Sequence, residues 1–230
     1  MKEITKLEKI LGVKFDNLDL LTQAVVHRSY LNEHPDFHLD HNERLEFLGD
    51  AVLELAVTEY LYKHYPNPEG ELTNWRASLV NGVAMAEIGQ TLGIEPFMFL
   101  SKGESQDKNS KARQFILANA MEAIIGAIYL DQGMESATKF IQRNILSKLK
   151  EIIDKKLYID AKSFFQEKAQ EKLSVTPSYK VISSTGPDHD KIFKVGVYLN
   201  DDLVATGTGS SKQEAQTDAA KNALIKKTWK

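Results

Sequence analysis

The chain has 230 residues, 42% of them hydrophobic and 27% charged, the proportions of an ordinary globular protein. No run approaches 18 apolar residues, so no membrane span is expected, and with no cysteine there is neither a disulfide nor cysteine-ligated zinc. The net charge of -3 is uneven: residues 159–230 hold 11 Lys against nine Asp or Glu, giving +2, and the rest carries -5, which suits a metal-binding unit joined to a polyanion-binding unit.

The first residues, MKEITKLEKILGVKF, alternate charged with apolar side chains and lack the continuous apolar stretch of a secretory signal. The absence of cysteine fits a reducing compartment, so the expected location is cytoplasmic. As far as about residue 155, apolar residues recur at steps of three and four, which predicts helix after helix. Leu45, Leu48, Val52 and Leu55 mark one such helix, spanning 42–62. HYPNPEGEL, with Pro66, Pro68 and Gly70 in five positions, breaks the series. SKGESQDKNSKAR, Ser101 to Arg113, is polar and aperiodic and reads as a loop. Its Lys102, Lys108, Lys111 and Arg113 are either simply solvated or in contact with phosphates. A very apolar helix follows, with Ile116, Ala120, Ala123, Ile124 and Ala127 on its period.

KEIIDKKLYID, charged and partly helical, joins the two parts, and the boundary falls within 150–160. AKSFFQEKAQEKL is a short helix. Three strands follow: PSYKVISS, KIFKVGVYL and LVATGTG, separated by the turns TGPDHD and NDD. Phe193, Val195, Val197 and Leu199 alternate along the middle one, as in a strand with one buried face. The last helix opens on the capping box SKQE, Ser211 to Glu214, and shows a flat face of Ala215, Ala219, Ala220, Ala223 and Leu224. The expected architecture is an all-α domain over 1–155 and an α+β domain over 159–228 in the order α-β-β-β-α.

Two helices carry acids in apolar company. In HNERLEFLGDAVLEL, Glu43, Glu46 and Asp50 fall within an arc of roughly 60° on an ideal helix. They form either a solvated face or a site. Gly49 among them costs the helix up to about 1 kcal/mol relative to Ala, which suggests that something approaches the backbone closely there. In ILANAMEAIIGAIYLD, Asn119 and Glu122 stand three apart on a helix that is otherwise apolar. A half-buried carboxylate there needs a salt-bridge partner or a cation. Paired across the two helices, Glu46, Asp50, Asn119 and Glu122 would offer the hard oxygen ligands that suit Mg²⁺ or Mn²⁺.

NERLEFLGD closely resembles the signature of ribonuclease III, the nuclease of double-stranded RNA. AVVHRSYLNE, PEGELTNWRASLV and ILANAMEAIIGAIYLDQG resemble that family's other nuclease blocks in the same order. PSYKV, GPDHDKIFKVGVYLN and GTGSSKQEAQTDAAKNAL resemble a double-stranded-RNA-binding domain. The resemblance implies an endoribonuclease that leaves 5′ phosphates and short 3′ overhangs and acts in rRNA and mRNA processing. It also implies Mg²⁺ as cofactor, with Mn²⁺ as a substitute, and a homodimer sharing one groove. Carried over residue by residue, the metal ligands are Glu46, Asp50, Asn119 and Glu122, with Asp50 and Glu122 catalytic. Glu43 and Glu71 would support the groove, and Phe47 would make a dimer contact. Gln166 (with Glu167), His189, Ser211, Lys212 and Lys221 would bind RNA. Asn119 stands where the family usually has Asp, which leaves a cleavage-deficient duplex-binding protein as the alternative. Ser210 and Gln213 stand where relatives often carry Lys, which predicts modest RNA affinity.

Overall fold

A computed structural model describes residues 3–107, 110–158, 160–187 and 191–229. The chain divides into two units, Met1–Tyr158 and Ile159–Lys230. The first is helical: α1 (Ile4–Leu11), α2 (Leu18–Ala24), α3 (Arg28–Glu33), α4 (Glu43–His64), α5 (Glu69–Val80), α6 (Gly82–Leu92), α7 (Lys102–Gln106), α8 (Lys111–Asn144) and α9 (Leu149–Asp154). Short polar side chains start several of these helices by accepting a free first-turn N–H. Asn17 does so for α2 and Asn81 for α6.

α8 is the core helix. Between residues 116 and 128 every side chain is buried except Asn119 and Glu122, which are half-buried. Gly133, at φ 76°, kinks it farther along. α4 packs along α8 and contributes Leu45, Val52, Leu53, Ala56, Val57 and Leu61 to the same core. The stretch 111–154 is long and apolar enough on average to cross a membrane, although no uninterrupted apolar run reveals this. Most of its most apolar part is buried within the helical unit, as expected of a core helix.

The segment 101–113 differs from the loop expected of it. Ser101 caps α7 and Ser110 caps α8, so two helices begin where apolar periodicity shows none. Serine supplies the start signal through its hydroxyl, which a hydrophobic pattern does not register.

The second unit runs α10 (Ala161–Leu173), β1 (Ser178–Thr185), β2 (Ile192–Leu199), β3 (Asp202–Gly209) and α11 (Lys212–Lys227). The sheet is antiparallel with order β1-β2-β3; Tyr179 pairs with Val197, and Phe193 with Gly209. Asn200 takes the left-handed conformation in the tight β2–β3 turn, a conformation that Asn tolerates better than most residues. Both helices cover one face of the sheet. Phe165 and Ala169 of α10 and Ala219, Ala220 and Ala223 of α11 close on Val197, Leu199 and Val204. Complete burial of a side chain such as Phe165 contributes about 1.5–3 kcal/mol. Ser211 caps α11 as expected, but the carboxylate of Glu214 reaches one residue farther back, to the N–H of Ser210 at 2.9 Å.

Candidate active site

α4 and α8 touch backbone to backbone at two glycines. A methyl group placed on Gly49 would collide with the carbonyl of Glu122, and one placed on Gly126 would collide with the carbonyl of Leu45. The close approach that Gly49 suggests is therefore to the acid-bearing turn of α8. Gly126, which looks ordinary in an alanine-rich helix, is its counterpart. Without side chains at the crossing, the helix axes come close enough for Glu46 and Asp50 to act on Glu122 through their charge.

That coupling is strong. The carboxyl of Glu122 is pushed up to about 7, first by burial and then by the charges of Asp50 and Glu46. Glu46 is raised as well, by burial and by the charge of Glu43 on the preceding turn. Asn119 opposes this shift, because its side chain hydrogen-bonds to Glu46 and favours the carboxylate. An Asp at position 119 could not donate to an ionised Glu46.

The four residues face one another across the crossing, yet among the described residues no three His, Cys, Asp or Glu side chains form a tight metal cage. The donor set fits a hard divalent cation: three carboxylates and one amide, all oxygen donors, with two of the acids destabilised by their neighbours' charge. A cation there would reverse the repulsion that raises Glu122.

The surrounding residues sort differently. Glu43 is exposed and tied to Arg28, at 3.4 Å, and to His41, at 3.8 Å, neither of which stands out in the sequence as a partner. Glu71 is exposed in the first turn of α5 and accepts a hydrogen bond from Asn67 at 2.8 Å. Phe47 is 81% exposed, between Glu46 and Asp50 in sequence but turned to the outer side of α4. Arg113 is not available to phosphate. It is buried and donates to Glu95 at 2.9 Å and toward the Glu104 carbonyl. Lys102 and Lys111 are exposed, whereas Lys108 lies outside the described residues.

In the second unit, Gln166 and Glu167 are exposed on α10 and line a shallow cleft with Ser163, Gln170 and Thr176. Ser211 and Lys212 stand at the N-terminus of α11. Glu214 is bound to the Ser210 hydroxyl and N–H in the same turn, which places negative charge beside the anion-favouring helix end. Lys221 is exposed but nine residues beyond Lys212, on the opposite side of an ideal helix. His189 lies outside the described residues.

Comparisons with known proteins agree with this architecture. A family profile described as ribonuclease-III-like matches residues 17–149, and one described as double-stranded RNA binding motif matches 161–227. Ribonuclease 3 of Carboxydothermus hydrogenoformans is 44% identical over 224 residues, 97% of this chain and 95% of that protein. Ribonuclease 3 of Nitratiruptor is 41% identical over 225 residues, 97% of this chain and 96% of that protein. The nuclease domain of ribonuclease III from Campylobacter jejuni, solved at 2.2 Å, is 39% identical with a TM-score of 0.55, covering 64% of this chain and 97% of that one. A second structure of that domain has a TM-score of 0.53 at 39% identity, covers 62% of this chain and 98% of that one, and is described as flexible in a region involved in dimer formation.

Proposed function

This chain belongs to the ribonuclease III family, and from that premise we propose that it cleaves duplex RNA with Mg²⁺, or Mn²⁺ in its place, held by Glu46, Asp50, Asn119 and Glu122. The observation that carries this reading is the glycine-to-glycine crossing of α4 and α8, which sets acids from two helices against one another at the edge of an apolar core. Asp50 is exposed, but Glu46 and Glu122 are half-buried beside it; holding like charges together where burial already disfavours them is costly, and a divalent ligand is the common reason to do so. When bound, the cation supplies charge stabilisation for in-line hydrolysis of a phosphodiester. Asp50 and Glu122 are its principal ligands. Glu46, hydrogen-bonded to the side chain of Asn119, assists them. Products carry 5′ phosphates and short 3′ overhangs, and the natural substrates are rRNA and mRNA precursors. The relatives share the name of a ribonuclease, and nothing in the comparisons favours the cleavage-deficient alternative.

Long duplex RNA incubated with the full chain is expected to be cut with either metal and to survive in EDTA. Replacing Asn119 by Asp adds a fourth negative charge and is expected to lower the half-activating Mg²⁺ concentration by about tenfold. RNA left whole at every metal concentration, by the natural chain and by Asn119→Asp alike, would overturn the assignment.

The same reading includes a homodimer. Phe47, Leu55 and Tyr62 are 81%, 61% and 80% exposed and lie within an arc of about 80° on α4, an apolar strip that a second copy would cover isologously. The Campylobacter jejuni nuclease domain is described as having a region involved in dimer formation. Phe47→Ala is expected to turn the dimer into monomer at micromolar concentration in sedimentation velocity. An undiminished dimer peak would remove Phe47 from the interface.

The second unit would supply affinity. Gln166 and Glu167 would meet a minor groove, and Ser211 and Lys212 would approach phosphates. Glu214 beside them would keep that binding modest, with a shallow salt dependence.

A further inference from the structure

Asn42 occupies the N-cap of α4, yet its side chain does not cap the helix. Asn is among the residues most favoured at this position, because its oxygen can accept a free N–H of the first turn. Here its Nδ2 instead donates to the carbonyl of Ala24, 3.2 Å away and 18 residues earlier. That carbonyl is the last of α2 and has no partner within its own helix. The backbone N–H of Asn42 donates to the carbonyl of Val26 at 2.9 Å, and Nε2 of Gln23 donates to the carbonyl of His41 at 3.2 Å. Three bonds thus stitch the start of α4 to the end of α2. Asn42 is 2% exposed and, with Arg113, makes up the buried polar residues among those described.

The stitch bears on the acids by position. The carbonyl of Asn42 accepts the N–H of Glu46 at 2.9 Å, so Glu46 lies one helical turn from the anchor and Asp50 two. α2 in turn packs on α8, with Leu21 and Ala24 buried in the shared core. α2 therefore braces α4 against the helix that carries Asn119 and Glu122. The backbone contact at Gly49 and Gly126 allows close approach and places no side chain at the crossing itself to fix the axial register there.

We propose that Asn42 is a positioning residue for cleavage: by tying the start of α4 to the end of α2, it sets the axial register of Glu46 and Asp50 against Asn119 and Glu122. This rests on the reading of those four residues as the metal site. A side chain needed only for stability would lower the melting temperature and leave the folded protein's metal affinity alone.

The test compares the full natural chain with Asn42→Ser and Gln23→Met. Serine keeps the capacity to cap α4 but is too short to reach Ala24. Gln23→Met cuts the outermost of the three bonds. Mn²⁺ binding is followed by electron paramagnetic resonance of the free ion, and cleavage is followed over varied RNA and Mg²⁺. Asn42→Ser is expected to bind Mn²⁺ about tenfold more weakly, to need correspondingly more Mg²⁺, and to lose about tenfold in kcat with KM changed by less than about twofold. Gln23→Met is expected to shift the same way by less. Unchanged Mn²⁺ affinity and kcat in folded Asn42→Ser, whatever its melting temperature, would overturn the positioning role. Should that variant not fold, unchanged Mn²⁺ affinity in Gln23→Met would do the same. Failure of the natural chain itself to bind Mn²⁺ or cut RNA would strike down the metal site along with the proposal.

Discussion

Glu122→Gln is expected to abolish cleavage and, in EDTA at pH 8, to raise the melting temperature. Both effects arise from one carboxyl group. Its ionised form is the principal charge that α8 offers to the cation, and Gln retains only a neutral oxygen. A loss of at least about 10³-fold in kcat is expected, or ~4 kcal/mol in barrier height. The stability effect has the opposite sign. Burial and the charges of Asp50 and Glu46 push the folded-state carboxyl up to about 7, from 4.5 in a free side chain. The folded protein thus holds this proton more tightly than the unfolded chain does. Stability contributed by the protonated carboxyl is intact below about pH 4.5, declines as the pH rises to about 7, and is gone above that. The group is only partly shielded from solvent, so the difference amounts to about 1–2 kcal/mol after screening. Gln has no such titration. The two proteins should melt alike at pH 4 and diverge at pH 8, and saturating Mg²⁺ should narrow the gap because it stabilises the natural chain more. Equal melting temperatures at pH 8 without metal, or a kcat within tenfold of the natural chain, would contradict the account.

The parts of this molecule that were readable from sequence are those whose signal is local. The strand period of Phe193 to Leu199 needs only adjacent residues, and Val195, Val197 and Leu199 are indeed buried. The alanine face of α11 is likewise a matter of one helix and its own period, and Ala215, Ala219, Ala220 and Ala223 are fully buried. Gly49 was conspicuous because it interrupts a helix among acids. Gly126 was not, since a small residue among alanines raises no question until a second helix is laid against it. The Arg113–Glu95 pair joins residues 18 apart with the whole of α7 between them, so a charge count could only rank Arg113 among available cations. Asn119 shows the same limit in a subtler form. Its chemistry as a neutral substitute for Asp was plain, but its bond to Glu46 exists only once α4 and α8 are packed. The angular separation of Lys221 from Lys212, by contrast, follows from helix geometry alone.

Gly126→Ala and Gly49→Ala are expected to be among the most damaging single-methyl additions in the chain. Alanine is the better helix former by about 1 kcal/mol, which taken alone would stabilise either helix. Against this, each new Cβ would meet a backbone carbonyl of the opposing helix, that of Leu45 for Gly126 and that of Glu122 for Gly49. Backbone cannot swing aside like the end of a flexible side chain, so α4 and α8 must separate. Overpacking of this kind costs about 3 kcal/mol, which exceeds the propensity gain and leaves a net loss of about 2 kcal/mol or more. Gly70→Ala serves as the contrast: no atom lies within 4 Å of its Cβ position, so the helix preference should prevail and stability should rise slightly. The separation of the helices should also be visible at the acids before the protein unfolds. As α4 withdraws, the charges of Asp50 and Glu46 act more weakly on Glu122, and its carboxyl should titrate below about 7. Mn²⁺ affinity should fall with it, because the ligands from α4 no longer meet those from α8. Urea denaturation, NMR titration of the Glu122 carboxyl and Mn²⁺ binding on the same variants check each step. A Gly126→Ala protein as stable as the natural chain, with Glu122 still titrating near 7, would show that the helices do not need this contact to bring the acids together.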